Sequence, residues 1–222
     1  MRVLVVNPVG TEKWDRVDEE LFSRYASSET EIKVISLGKG PKSLERRIDE
    51  VEAMPLVIKK VMETHGDFDA VIVNCFLDPG VEALRSLLNK PVLGPCESSI
   101  ALASLLGKKI SVITVGGGEA MIEEKIVQKG YGDLLVSVKS IDIGVLDIDT
   151  DLSSTVIKLV KKGEEALKEG AEVVVLGCTG LAGLAASVEE KLGIPVVDPA
   201  AATLKMAEAL VKLRLVHSRR RY

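Results

Sequence analysis

Three cysteines, Cys75, Cys96 and Cys178, are the side chains of this chain best suited to chemistry near neutral pH, because a thiol pKa is readily tuned toward it. Cys75 stands in Asn74-Cys75-Phe76-Leu77-Asp78-Pro79-Gly80, and Cys178 stands in Leu176-Gly177-Cys178-Thr179-Gly180-Leu181-Ala182-Gly183. Each follows a short apolar run, and the two lie 103 residues apart. Two prolines repeat at nearly the same interval: Pro91 and Pro195, and Pro95 and Pro199, are separated by 104 residues. The segment Ala70–Cys75 matches Glu172–Cys178, and Arg2–Asn7 matches Lys109–Val115. Matching Cys and Pro positions at one near-constant interval read as an internal repeat of two similar α/β halves. A single strand-end cysteine is most often a small core hydrophobe. Two at equivalent repeat positions point to chemistry instead. One thiolate can take a proton from one face of a carbon while an opposing thiol delivers a proton to the other face, with no bound cofactor. The carbanion must then delocalise into an adjacent carbonyl, whose oxyanion meets preorganised backbone amides.

The elements that must position these thiols follow from the hydrophobic pattern. Short β-branched runs alternate with longer amphipathic stretches, the signature of parallel strands joined by crossover helices. Eight strands are expected, near Arg2–Asn7, Glu31–Ser36, Ala70–Asn74, Val92–Gly94, Lys109–Val115, Leu134–Ile141, Glu172–Leu176 and Pro195–Val197, each almost wholly apolar. Asp151–Lys168 reads as a helix capped by Thr150 or Asp151, facing inward through Val156, Val160 and Leu167 and stopped by Gly170. Between Ser43 and His65, Pro55 predicts a loop or turn followed by a helix. The repeat predicts a first lobe of residues 1–95 plus a C-terminal helix over 200–222, and a second lobe of residues 96–199, each with a four-stranded parallel sheet. Ligands bind beyond the carboxyl ends of such strands. Asp78 is expected to cap a helix with Pro79 at its first position, and both thiols to lie at helix N-termini, which supply amide donors. A pseudo-twofold axis between the lobes would bring the two thiols into one cleft from opposite sides.

Composition narrows the function classes. The 222 residues carry 29 Lys and Arg against 33 Asp and Glu, a net charge of −4, so no general attraction to nucleic acid or anionic lipid is expected. Arg219, Arg220 and Arg221 read as a solvated basic end. No run approaches the length of a membrane span, and an odd, widely spaced cysteine set without a secretion signal implies a cytoplasmic protein with reduced thiols. No Cys or His pair has metal-ligand spacing, so no metal is expected. Gly116-Gly117-Gly118-Glu119 lacks the pattern of a nucleotide loop and reads as a wall of the cleft. Cys96 has Ala200 as its repeat counterpart and reads as structural or as a pocket wall. Glu97, Glu119 and Asp198 read as helix caps or solvated charges.

The two cysteine motifs, with Asn7-Pro8 closing the first strand, resemble the aspartate/glutamate/hydantoin racemase superfamily. Within it they are most similar to the hydantoin and allantoin racemase branch, whose first cysteine sits in Cys-Phe-x-Asp-Pro-Gly. The resemblance spans essentially the whole chain. It implies two flavodoxin-like halves around a central cleft, a cofactor-independent two-base racemisation of a small-molecule substrate, and a homo-oligomer. Cys75 and Cys178 would be the acid/base thiols. Asn7 would touch the substrate or position the loops, and the amides at Phe76, Val115, Gly116, Thr179 and Gly180 would hold substrate carbonyls. Two departures concern the substrate: the family's Asn-Pro-Asn-Thr reads Asn7-Pro8-Val9-Gly10-Thr11 here, and Thr179 stands where hydantoin racemases often have Ala. An amino-acid racemase, a thiol-dependent decarboxylase or cis–trans isomerase, and a two-lobed binding protein without turnover are the alternatives. The few charged residues in the motif loops favour a neutral ring held by amides over an amino acid.

Overall fold

The computed structural model describes residues 1–218, along which strands and helices alternate. They are β1 (Arg2–Asn7), α1 (Asp15–Tyr25), β2 (Glu31–Ser36), α2 (Arg47–Thr64), β3 (Ala70–Val73), α3 (Val81–Leu87), β4 (Val92–Leu93), α4 (Pro95–Ala103), β5 (Ile110–Thr114), α5 (Glu119–Gln128), β6 (Leu135–Ser140), α6 (Leu152–Lys168), β7 (Val173–Leu176), α7 (Ala185–Leu192), β8 (Val196–Val197) and α8 (Pro199–Lys212). The chain divides into two compact units, Met1–Pro95 with the chain from Thr203 onward, and Cys96–Ala202. The first holds a sheet of order β2-β1-β3-β4, the second one of order β6-β5-β7-β8, and every pair is parallel. The internal repeat is therefore present as topology. Its register is matched as well: Val6 lies opposite Val73 in the first sheet and Ile113 opposite Leu176 in the second.

In each sheet the two inner strands are buried along their length apart from Arg2 at the start of β1, as a strand covered on both faces must be. One edge strand of each sheet departs from the apolar expectation, while β4 and β8 at the other edges keep to it. In β2, Glu31 and Lys33 are exposed, and β6 is half-buried through Val138 and Lys139. Polar side chains on an open edge discourage pairing with another chain. In the first unit α2 and α3 cover one sheet face through Val57, Val61, Leu84 and Leu88. α2 runs unbroken through Pro55, against the expectation of a break. The bond Pro55 cannot donate would go to the carbonyl of Val51, whose residue is 54% exposed, so the lost bond falls on the outer face of the helix while Ala53, Val57 and Val61 stay buried. In the second unit Asp151 caps α6 by accepting from the Ser154 amide at 3.0 Å. Its buried stripe is Thr155, Leu159, Gly163 and Ala166, one position round from the expected face, with Val156 and Val160 half-buried at its border.

α8 ends at Lys212, short of the expected helix over 200–222. Arg214 takes a left-handed backbone (φ 56), Leu215 N donates to Leu210 O at 2.9 Å and Arg214 N to Val211 O at 3.0 Å, a Schellman stop built on arginine instead of glycine. His217 then accepts from the Val92 amide at 2.9 Å on the open edge of β4. The basic run Arg219, Arg220 and Arg221 lies outside the described residues. Among the described residues no helix is long and apolar enough to cross a membrane.

Glu208 of α8 fastens the first unit from within. It is buried and accepts from Ser27 N and Oγ at 2.8 Å, Thr30 Oγ1 at 2.7 Å and Lys205 Nζ at 2.9 Å. Burial opposes its charge, but the hydrogen bonds from Lys205, Ser27 and Thr30 outweigh burial and hold the carboxyl down at about 2, against an ordinary 4.5. A depressed folded-state pKa stabilises fully above the unfolded value of 4.5, and that stability is lost as pH falls from there through about 2. The shift corresponds to about 3 kcal/mol at neutral pH. Glu208→Gln is expected to lower the unfolding free energy by about 2–3 kcal/mol at neutral pH and to flatten its acid limb below about pH 4.5. Urea melts of both proteins from neutral to acid pH check this, and an unchanged acid slope in the variant would count against it.

Candidate active site

Two residues beyond the end of β3 stands Cys75, and two beyond the end of β7 stands Cys178. Both side chains are half-buried, and among the described residues no cysteine forms a disulfide. After each cysteine the chain turns back on it: Asp78 N donates to Cys75 O at 2.9 Å, and Leu181 N to Cys178 O at 3.0 Å. The second turn is a 3-10 turn over Thr179–Leu181. The helices begin later, α3 at Val81 after a left-handed Gly80 (φ 77) and α7 at Ala185. The expectation that each thiol sits at a helix N-terminus is thereby corrected to a thiol at the head of a tight turn. Asp78 is not the cap of α3: that position is held by Gly80, and Asp78 stands two residues earlier in a left-handed backbone (φ 48).

A carboxylate lies where each turn meets the strand that follows it. In the second unit Asp198, just after β8, accepts from Gly183 N at 2.6 Å and from Ala200 N and Ala201 N at 3.0 Å, so it caps α8 and holds the Cys178 loop at once. The equivalent position in the first unit is Gly94, and there the carboxylate comes from the loop: a Cβ on Gly94 would overlap the carboxyl group of Asp78. Gly180 is required by close approach. A Cβ there would lie 2.7 Å from Ile148 Cδ1 and 3.6 Å from Cys178 Sγ.

The remaining predicted residues fall into two groups. Asn7, Cys75 and Phe76 belong to the first unit, with Asn7 and Phe76 buried. Val115, Gly116, Cys178, Thr179 and Gly180 belong to the second, with Val115 buried, Thr179 half-buried and Gly180 exposed. Gly116 is left-handed (φ 62), and its amide donates to Ile143 O at 2.7 Å while its carbonyl accepts from Ser140 Oγ at 2.9 Å. Its expected role as an amide donor to substrate is corrected, because that hydrogen is already committed. Cys96 is buried in the first turn of α4, as Ala200 is in the first turn of α8, and Glu97 pairs with Lys129 at 3.1 Å. Among the described residues no three His, Cys, Asp or Glu side chains gather as metal ligands would.

A layer of polar side chains at the strand ends escaped the sequence reading. Asn74 Nδ2 donates to Asn7 Oδ1 at 2.8 Å, and Asn7 Nδ2 donates to Asp15 Oδ1 at 3.1 Å and Asp18 Oδ2 at 2.8 Å. Ser36 N and Oγ both donate to Asp15. In the second unit Thr114 Oγ1 donates to Gly177 O at 2.9 Å. The available signal was Asp15 and Asp18, one helical turn apart on the helix after β1.

Residues 3–207 match the family model described as Asp/Glu/Hydantoin racemase. The chain is 35% identical over 216 residues to the hydantoin racemase of Pseudomonas sp. (strain NS671), covering 96% of this chain and 87% of that one. It is 32% identical over 217 residues to the hydantoin racemase of Paenarthrobacter aurescens, covering 96% and 92%. The crystal structure of allantoin racemase from Pseudomonas fluorescens superposes with a TM-score of 0.94 at 34% identity, covering 98% of this chain and 94% of that one. With paired four-stranded parallel sheets, a thiol beyond the third strand of each, and this likeness along nearly its full length, the chain belongs to the Asp/Glu/hydantoin racemase family, stands with its hydantoin and allantoin racemases, and is an isomerase.

Proposed function

We propose that the enzyme inverts the acidic carbon of a 5-substituted hydantoin or of allantoin, with Cys75 and Cys178 as the acid/base pair. The observation that carries this reading is the matched placement of the two thiols, each two residues beyond the third strand of its sheet and each heading a turn closed on its own carbonyl. Core packing does not require that match.

In this reading one cysteine, as thiolate, removes the proton from the ring carbon. The electron pair moves into the adjacent ring carbonyl, forming an enolate. The other cysteine, as thiol, returns a proton to the opposite face, and the roles exchange for the enantiomer. Amides of Phe76, Val115, Thr179 and Gly180 serve as donors to the ring carbonyls and the developing oxyanion. A cyclic ureide is neutral and rich in acceptors, so such donors suit it without a charged clamp.

Incubation of enantiopure 5-substituted hydantoins, allantoin, aspartate and glutamate in D2O, followed by NMR and polarimetry, tests the reading. Exchange and loss of optical activity are expected with hydantoins or allantoin alone. Cys75→Ser and Cys178→Ser should each lower racemisation by about 10²–10⁴-fold and leave slow exchange of one enantiomer, opposite in the two variants. Racemisation surviving either substitution would overturn the two-thiol mechanism, and exchange with aspartate or glutamate alone would overturn the substrate.

A further inference from the structure

The register of the two sheets makes Asn7 and Thr114 equivalent, each one residue past the matched pairs Val6 with Val73 and Ile113 with Leu176. Asn74 and Gly177 are equivalent by the same register, and each immediately precedes its cysteine. In both units the end of the central strand grips that preceding residue by one short hydrogen bond: Asn74 Nδ2 to Asn7 Oδ1 at 2.8 Å, and Thr114 Oγ1 to Gly177 O at 2.9 Å. All four residues are buried. The second unit uses a backbone carbonyl because no side chain fits there. A Cβ on Gly177 would lie 2.5 Å from Val112 Cγ1 and 3.1 Å from Thr114 Cβ.

The first grip has a lock that the second lacks. Asp15 and Asp18 of α1 are acceptors only, and each takes one hydrogen of the Asn7 amide, at 3.1 and 2.8 Å. Both Asn7 donors are therefore spent on the protein, and its oxygen is turned toward Asn74. Asp18 Oδ2 also lies 3.4 Å from Asn74 Nδ2, so one carboxylate touches both amides.

We infer that Asn7 and Thr114 are paired positioning residues that set the two catalytic cysteines, and that Asp15 and Asp18 fix Asn7 in that role instead of leaving it to bind substrate. The inference rests on the two-thiol reading above for its kinetic consequence, but the grip itself concerns thiol placement alone. An amide held by two carboxylates cannot rotate without losing charge-assisted bonds, so the chain entering the Cys75 turn is held in one position. A displacement of the order of 1 Å can cost about a hundred-fold in rate.

Single-thiol backgrounds separate the two sides. In Cys178→Ser, where exchange in D2O depends on Cys75, Asp18→Ala is expected to lower that exchange at least ten-fold, and Asp18→Asn, which keeps one acceptor, to recover most of it. In Cys75→Ser the same changes should alter exchange less than two-fold. Thr114→Val should show the reverse pattern. In the otherwise wild-type enzyme Asp18→Ala should lower kcat while KM stays within two-fold, because no substrate contact is lost. Equal losses in both backgrounds, or a loss confined to KM, would overturn the inference. Iodoacetamide labelling of the full-length protein, read peptide by peptide by mass spectrometry, decides the matter independently of any substrate. Asp18→Ala should change the labelling rate of Cys75 three-fold or more and leave that of Cys178 alone, and Thr114→Val should do the converse. If single-thiol variants show no enantiomer-specific exchange while labelling follows this pattern, the two-thiol mechanism fails and the positioning stands. Labelling rates indifferent to both changes sink the positioning.

Discussion

A parallel sheet buried on both faces can hold no unpaired polar group along its strands, and that constraint organises each half of this enzyme. β1, β3, β5 and β7 present almost nothing but aliphatic side chains to the helices that cover them, because an unmatched polar atom there would cost on the order of 1–3 kcal/mol. Polar side chains gather at the carboxyl ends of the strands. Asn7, Ser36 and Asn74 in one unit, and Thr114, Ser140 and Gly177 in the other, form a layer at the carboxyl ends, and the cysteines come one residue later in the chain. The two cysteines stand just beyond the buried ladders, where polar groups are permitted.

The two halves share this plan and differ in how they satisfy it. The carboxylate beside the junction of the cysteine turn and the next strand is Asp198, on the strand side, in one unit, where it accepts from backbone amides, and Asp78, on the loop side, in the other, where it packs against Gly94. The residue before the cysteine is gripped through a side chain in one unit and through its carbonyl in the other, since Asn74 has room for an amide and Gly177 has room for nothing. Repeats that keep positions while exchanging the groups that hold them are free to surround their thiols differently.

Much of this was legible in the residues. Strand positions followed from runs such as Val3–Val6 and Val173–Leu176, whose unbroken apolar character leaves few alternatives, and the repeat of Cys and Pro intervals announced two halves of one topology. Local rules failed where tertiary packing outweighed them. Pro55 breaks an isolated helix, yet burial of Ala53, Val57 and Val61 exceeds the loss of one bond on a wet face. Asp78-Pro79 reads as a helix start, but the tight turn that closes on Cys75 forces Asp78 into a left-handed backbone and delays α3 to Val81. Gly116 reads as an open donor until Ile143, far along the chain, takes its amide.

Identity and order of the cysteines belong to the sequence by itself: which thiols exist, that they are equivalent, and which apolar runs must be strands, all of them properties of composition and period. What only the tertiary structure decided is where the hydrogen-bonding capacity of the loops goes. Asp15 and Asp18 are surface-like letters on an amphipathic helix until α1 packs beside the end of β1 and turns them toward Asn7. A hydrogen bond is fixed by distances of a few tenths of an ångström between groups remote in sequence, and no local pattern encodes such distances.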